Sequence, residues 1–150
     1  MRIVIQRVAE AAVRIAGAVR GEIGHGLLVL VGVEDADTME DVEWLAGKVA
    51  RLRIFPDDAR VMNRSVAESG GAVLVVSQFT LHASTKKGNR PSYLRASGAG
   101  HAVPLYGAFI AAVQREAGVP VRTGEFGAEM QVSLVNDGPV TLCLDSKARE

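Results

Sequence analysis

Four short stretches near the start of the chain, RIVIQRV, AAVRIAG, AVRGEIG and LLVLVGV, are dense in β-branched residues and separated by glycine-containing turns at Ala16-Gly17 and Gly24-His25-Gly26. They predict strands and an antiparallel start. From Thr38 the period changes. Val42, Leu45, Ala46, Val49 and Leu52 recur at helical spacing, and Thr38 with Asp41 forms a capping box ahead of them. A polar turn region runs from Pro56 to Gly71. GAVLVV, residues 71–76, is then a continuous apolar run of the kind a strand shows when both its faces are buried. It passes directly into SQFTL, residues 77–81, read as the polar end of the same strand. A glycine-rich, basic connection over 83–102 precedes a second helix, with Pro104 expected in its first turn. Leu105, Ala108, Phe109, Ala112 and Val113 form its apolar stripe, with Gly118 as stop signal and Pro120 just beyond. MQVSLV and VTLCLD predict two closing strands on either side of NDGPVT, residues 136–141. No repeat, low-complexity tract or linker divides the chain, so the expectation is a single α+β domain over 1–150, with 145–150 as a flexible tail.

At 150 residues, 48% of them hydrophobic, the chain is long enough for one ordinary core, burying roughly 68 to 70% of the surface exposed by the unfolded form. Basic and acidic residues number 17 each, so the net charge is zero and an anionic partner has to be met by a local patch. The single cysteine, Cys143, can form no internal disulfide, and it is read as a small buried hydrophobe within its strand. The start, MRIVIQRV, has no signal-peptide core, and no apolar run reaches the ~18 residues a membrane helix needs. A cytoplasmic, soluble protein is expected. His25, His82 and His101 are scattered without ligand spacing, so neither a metal nor another cofactor is expected. The chain contains no G-x-S-x-G elbow, phosphate-binding loop or dinucleotide fingerprint.

Two segments resist an ordinary structural reading. In an extended strand Ser77, Phe79 and Leu81 share one face while Gln78, Thr80 and His82 share the other, so a polar row stands at the end of an apolar strand. Such a row is either a strand reaching solvent or a site. Shortly after it comes TKKGNR, with Lys86, Lys87 and Arg90 around Gly88: either a solvated loop or a phosphate-contacting one. A third segment raises a question of its own. Asp137-Gly138 alone makes a good hairpin turn, yet Pro139 follows and can donate no ladder hydrogen bond.

SQFTL at 77–81, RPS at 90–92 and MQVSLVNDGPVT at 130–141 resemble the D-aminoacyl-tRNA deacylase family. The likeness extends to IQRV, LLVLVGVE, MNRSV and TGEFGAEM and fades near Asp145. Ser84 and Tyr93 depart from the family pattern, which has an acidic residue and a phenylalanine there. The resemblance implies a mainly antiparallel, barrel-like core with two covering helices. It also implies a homodimer in which a cis Gly138-Pro139 peptide enters the partner's pocket and excludes an L side chain by presenting backbone carbonyls.

The implied reaction is hydrolysis of the ester between a D-amino acid and the terminal adenosine of tRNA, with glycyl-tRNA as a further possible substrate. Because the neighbouring 2′-hydroxyl activates that ester, positioning and oxyanion stabilisation suffice. The oxyanion donors are assigned to backbone N–H groups near Phe79 and Thr80. Ser77 and Gln78 shape the adenosine end, Phe126 or Met130 adds apolar contact, and Asn136 is counted with the substrate-binding residues. Lys86, Lys87 and Arg90 are expected on acceptor-end phosphates. Thr80 is read as a positioning group for water attack. As a nucleophile it would need a base, and sequence offers only His82 as a guess.

Overall fold

The computed structural model describes residues 1–150. Its first strand, β1, spans Arg2–Ile15 and merges the two stretches that the sequence pattern separated. The alanine-rich middle interrupts β propensity, but pairing on both sides keeps it extended. A tight turn at Ala16 and Gly17, both at positive φ, leads to β2, Ala18–Ile23, and then β3 runs over Gly26–Gly32. β1 pairs antiparallel with β2 through its second half and with β3 through its first.

The capping box is present: the Asp41 carboxylate accepts the Thr38 N–H at 2.8 Å, and helix α1 runs from Met39 to Arg51. The stretch read as a featureless turn region holds a small hairpin, β4 (Phe55–Pro56) with β5 (Met62–Arg64). Next, β6 (Ala72–Ser77) lies parallel to β3, with Val73 to Val76 buried as their unbroken apolar run predicts. Helix α2 covers Ala99–Ala117. It starts inside the expected connection, and Pro104 therefore lies within the helix rather than in its first turn. The helix ends as predicted, on a left-handed Gly118. β7 (Val121–Thr123) pairs parallel with β6, and β8 (Gln131–Asp145) pairs antiparallel with β1 along almost its whole length.

The result is a mostly antiparallel, nearly closed, barrel-like sheet with two helices on one face. Two apolar clusters follow from the alternation of side chains across the strands. Ile3, Ile5, Leu27, Val29, Val73 and Val75 face α1 and α2, while Val8, Val13, Leu28, Leu74 and Val76 pack on the other face, inside the curl of the sheet. Fully burying one such side chain contributes about 1.5–3 kcal/mol.

Two expectations are corrected at the C-terminal end. Cys143 is exposed, because β8 is an edge strand with one side unpaired and alternate residues facing out. The segment expected as a flexible tail is docked. Ser146 is buried and its Oγ accepts from the Met1 ammonium at 2.9 Å, Lys147 Nζ donates to Asp41 at 2.8 Å, and Arg149 donates to Glu40 at 3.0 Å. No helix is long and apolar enough to cross a membrane.

Candidate active site

The strand read through SQFTL stops at Ser77. Gln78 takes φ −146° and ψ 79°, its N–H donates to the Val31 carbonyl at 2.7 Å, and Phe79–His82 wind into one 3-10 turn. The alternation of faces therefore breaks down. Gln78 and Thr80 do come together, Gln78 Nε2 donating to Thr80 Oγ1 at 2.5 Å, but His82 turns inward and is fully buried. Neither ring nitrogen of His82 has a hydrogen-bond partner, so it is not bonded to the half-buried Thr80. The first bond of the turn runs from Leu81 N–H to the Gln78 carbonyl at 3.2 Å, which leaves the Phe79 and Thr80 N–H groups ahead of it.

Two cavities meet at this turn. One, of about 70 Å³, is lined among others by Ser77, Gln78, Phe79, Tyr106 and Phe126. The other, of about 220 Å³, shares Ser77, Gln78 and Phe79 and adds Met130. The fold thus assembles five of the predicted site residues, Ser77, Gln78, Phe79, Phe126 and Met130, with Thr80 bonded to Gln78. Tyr106 was not anticipated as part of a site. Its ring stands 5.7 Å from that of Phe126, its hydroxyl donates to the Val75 carbonyl at 3.1 Å, and burial pushes its pKa up to about 12. The signal available was its place beside Leu105 and Phe109 on the apolar side of α2.

The basic loop is held beside the turn. Ser84 and Ser92 exchange two backbone hydrogen bonds of 2.8 Å, closing the excursion that carries Lys86, Lys87 and Arg90, all exposed. Tyr93, just after this stem, meets the Phe79 ring edge-on at 5.1 Å.

NDGPVT is not a hairpin turn. β8 passes through it while still following β1, and the ladder shifts register between Gln6 and Val8 and again between Val8 and Glu10. The Gly138-Pro139 bond is cis, as the resemblance implies. Asn136 pins the bulge, its Nδ2 donating to the carbonyls of Arg7 and Val140 at 3.0 Å each. Arg7, missed in the sequence, does more. It is almost completely buried, donates to the Ile54 carbonyl at 2.6 Å and the Asp137 carbonyl at 3.2 Å, and pairs with the Asp137 carboxylate at 3.2 Å. A lone arginine between Ile5 and Val8 in an apolar strand was the available clue. Gly138 and Pro139 are exposed and line neither of the cavities at the Gln78 turn of their own chain.

Residues 4–145 match the family model described as D-Tyr-tRNA(Tyr) deacylase. The chain belongs to this family. It is 61% identical to the D-aminoacyl-tRNA deacylase of Parabacteroides distasonis and 59% identical to that of Akkermansia muciniphila, in each case over the whole of both chains. Among solved structures it resembles the c-Myc DNA Unwinding Element Binding Protein, with a TM-score of 0.91 and 36% identity over 99% of this chain and all of that one. A probable eukaryotic D-amino acid tRNA deacylase, 19% identical with a TM-score of 0.80 over 95% and 97% of the two chains, shares the fold.

Proposed function

We propose that this member of the deacylase family hydrolyses the ester bond of D-aminoacyl-tRNA in the cytoplasm, as a proofreading hydrolase of translation, at a site completed by two copies of the chain. The observation that carries the two-copy reading is the separation of the halves. The Gln78 turn lines cavities with no contribution from Gly138 or Pro139, whereas those residues stand exposed on an edge strand. A Gly138-Pro139 bulge entering from a second copy closes the first copy's site.

In this reading the terminal adenosine lies against Phe126 and Met130, and Ser77 and Gln78 orient it. The ester carbonyl faces the Phe79 and Thr80 N–H groups, which stabilise the oxyanion as water attacks, assisted by the RNA's own 2′-hydroxyl. Thr80, fixed by Gln78 at 2.5 Å, positions and does not attack. The partner's Gly138 and Pro139 carbonyls receive the substrate's α-amino group and leave an L side chain no room. Glycine, without a side chain, passes the same filter. Lys86, Lys87 and Arg90 meet acceptor-end phosphates, supplying the local positive charge that a chain of zero net charge otherwise lacks. No metal or other cofactor takes part.

The test is complementation. Arg7→Ala chains, whose bulge is loosened, are mixed with chains carrying both Gln78→Ala and Thr80→Ala, and subunit exchange is verified independently. Hydrolysis of D-tyrosyl-tRNA by the mixture above that of either parent is expected, with L-tyrosyl-tRNA left intact. A mixture as inactive as its parents means that each chain completes its own site.

A further inference from the structure

His82 is the one residue with buried side-chain nitrogens and no hydrogen-bond partner. Leaving a buried polar group unpaired is unfavourable, so its presence in the turn that carries Phe79 and Thr80 calls for a physical reason. The turn is seated on the end of β3 where Gly32 has no side chain. A Cβ at Gly32 would stand 3.0 Å from the Gln78 carbonyl oxygen, 3.0 Å from Leu81 Cβ and 3.1 Å from His82 Cδ2. The imidazole therefore fills the seat beneath the turn. From β1, Arg2 Nη1 donates to the Leu81 carbonyl at 3.1 Å, tying the outer side of the same turn.

We infer that His82 is a positioning residue for the deacylation site: as a neutral ring it seats the Phe79–His82 turn on Gly32, and its protonation unseats the turn and misplaces the Phe79 and Thr80 N–H groups. The inference rests on the reading that this turn carries the chemistry. The charged groups that act on the ring are Arg2 on β1, the Met1 ammonium ahead of it, and Glu34 just after β3. Burial is the main influence and holds the His82 pKa below the ordinary 6.5. Arg2 and the ammonium push the same way, against Glu34 and the Gly32 backbone, which faces the ring without forming a hydrogen bond. The sign follows. The seated turn binds the proton more weakly than a released one, so seating is fully favoured above 6.5. It weakens as pH falls through that value, by up to about tenfold per pH unit.

The experiment measures kcat for D-tyrosyl-tRNA hydrolysis from pH 7.5 down to 5, corrected for spontaneous hydrolysis, in the wild type and in His82→Leu, which fills the seat without a titrating group. His82→Leu is expected to lose about threefold in kcat at pH 7.5 through looser fit. Relative to its own value at pH 7.5, it then loses less than the wild type by pH 5, the difference growing by up to about tenfold per pH unit below 6.5. Profiles that superimpose after scaling overturn the inference. A second measurement holds whether or not the variant folds or the substrate is the right one. In the wild type, the His82 ring resonances are expected to titrate below 6.5, with the Phe79 and Thr80 amide signals moving at the same midpoint. A ring that titrates at its ordinary value while those amides stay still overturns the inference independently of activity.

Discussion

The Gln78 turn and the Gly138-Pro139 bulge are both departures from a strand, but they are held in opposite ways. The turn is anchored from beneath, with His82 buried under it and the Val31 carbonyl and Arg2 at its two ends. It opens onto cavities that its own chain lines. The bulge lies on an edge strand, exposed at Gly138 and Pro139, and is held from the side by Arg7 and Asn136. In the proposed two-copy reading the first is a pocket that lacks a wall and the second is the wall that another copy supplies, which is why an exposed segment is fixed by a buried arginine.

The comparison breaks most readily at Arg7. Arg7→Ala removes two hydrogen bonds to carbonyls and the ion pair to Asp137, and leaves the Ile54 carbonyl unpaired. A loss of about 2 kcal/mol in unfolding free energy is expected, measured by chemical denaturation. Misplacing the bulge by an ångström costs about 100-fold in deacylation rate. Unchanged turnover in a folded Arg7→Ala protein would show that the bulge is not part of the site. Gly138→Ala acts on the same element from within. The added Cβ meets Val140 Cγ2 at 2.9 Å and Arg7 Nη2 at 3.0 Å, on a residue with φ of 126°. A drop of about 30-fold is expected, with the D over L preference kept because the carbonyls remain in place. Loss of that preference, in parallel assays on D- and L-tyrosyl-tRNA, would mean that the Gly138 carbon itself is the filter.

The turn is predicted to be less sensitive at its side chain. Thr80→Ala deletes the acceptor of the 2.5 Å bond from Gln78 but leaves the backbone donors, so about a tenfold loss of kcat is expected. Complete loss, or an acyl group trapped on Thr80, would make it the nucleophile. The smallest effect belongs to the loop beside the turn. Three phosphate contacts to a single-stranded end correspond to a log-log salt slope of about −2, and Lys87→Ala is expected to reduce its magnitude by roughly 0.7. Binding that does not depend on salt would move the RNA surface away from this loop.

Much of the architecture was legible because it rests on local rules. The Thr38 capping box, the Ala16-Gly17 turn, the left-handed stop at Gly118 and the double-sided burial of β6 all follow from residues close together in the chain. The misreadings share a cause. The local pattern divides β1 at its alanines, carries SQFTL on as strand, and separates MQVSLV from VTLCLD at NDGPVT, because in each case the deciding partner is distant in sequence. β1 and β8 hold each other extended, Gly32 of β3 provides the seat that bends Phe79–His82, and Arg7 holds the bulge. Cys143 was misjudged for the related reason that alternation assigns residues to faces but does not say which strand is left at an edge.

By itself, then, the sequence determined the opening strands' character, the buried β6, the two helical faces and the family motifs, since periodicity, capping and turn chemistry act over a few residues. Tertiary structure alone decided that Gln78 and Thr80 meet while His82 is buried beneath them, that Tyr106 backs Phe126, and that Arg7 braces Gly138-Pro139 away from its own cavities. Those relations depend on strand register and on contacts between residues far apart in the chain, where a one-residue slip reverses every face and no local pattern records the partner.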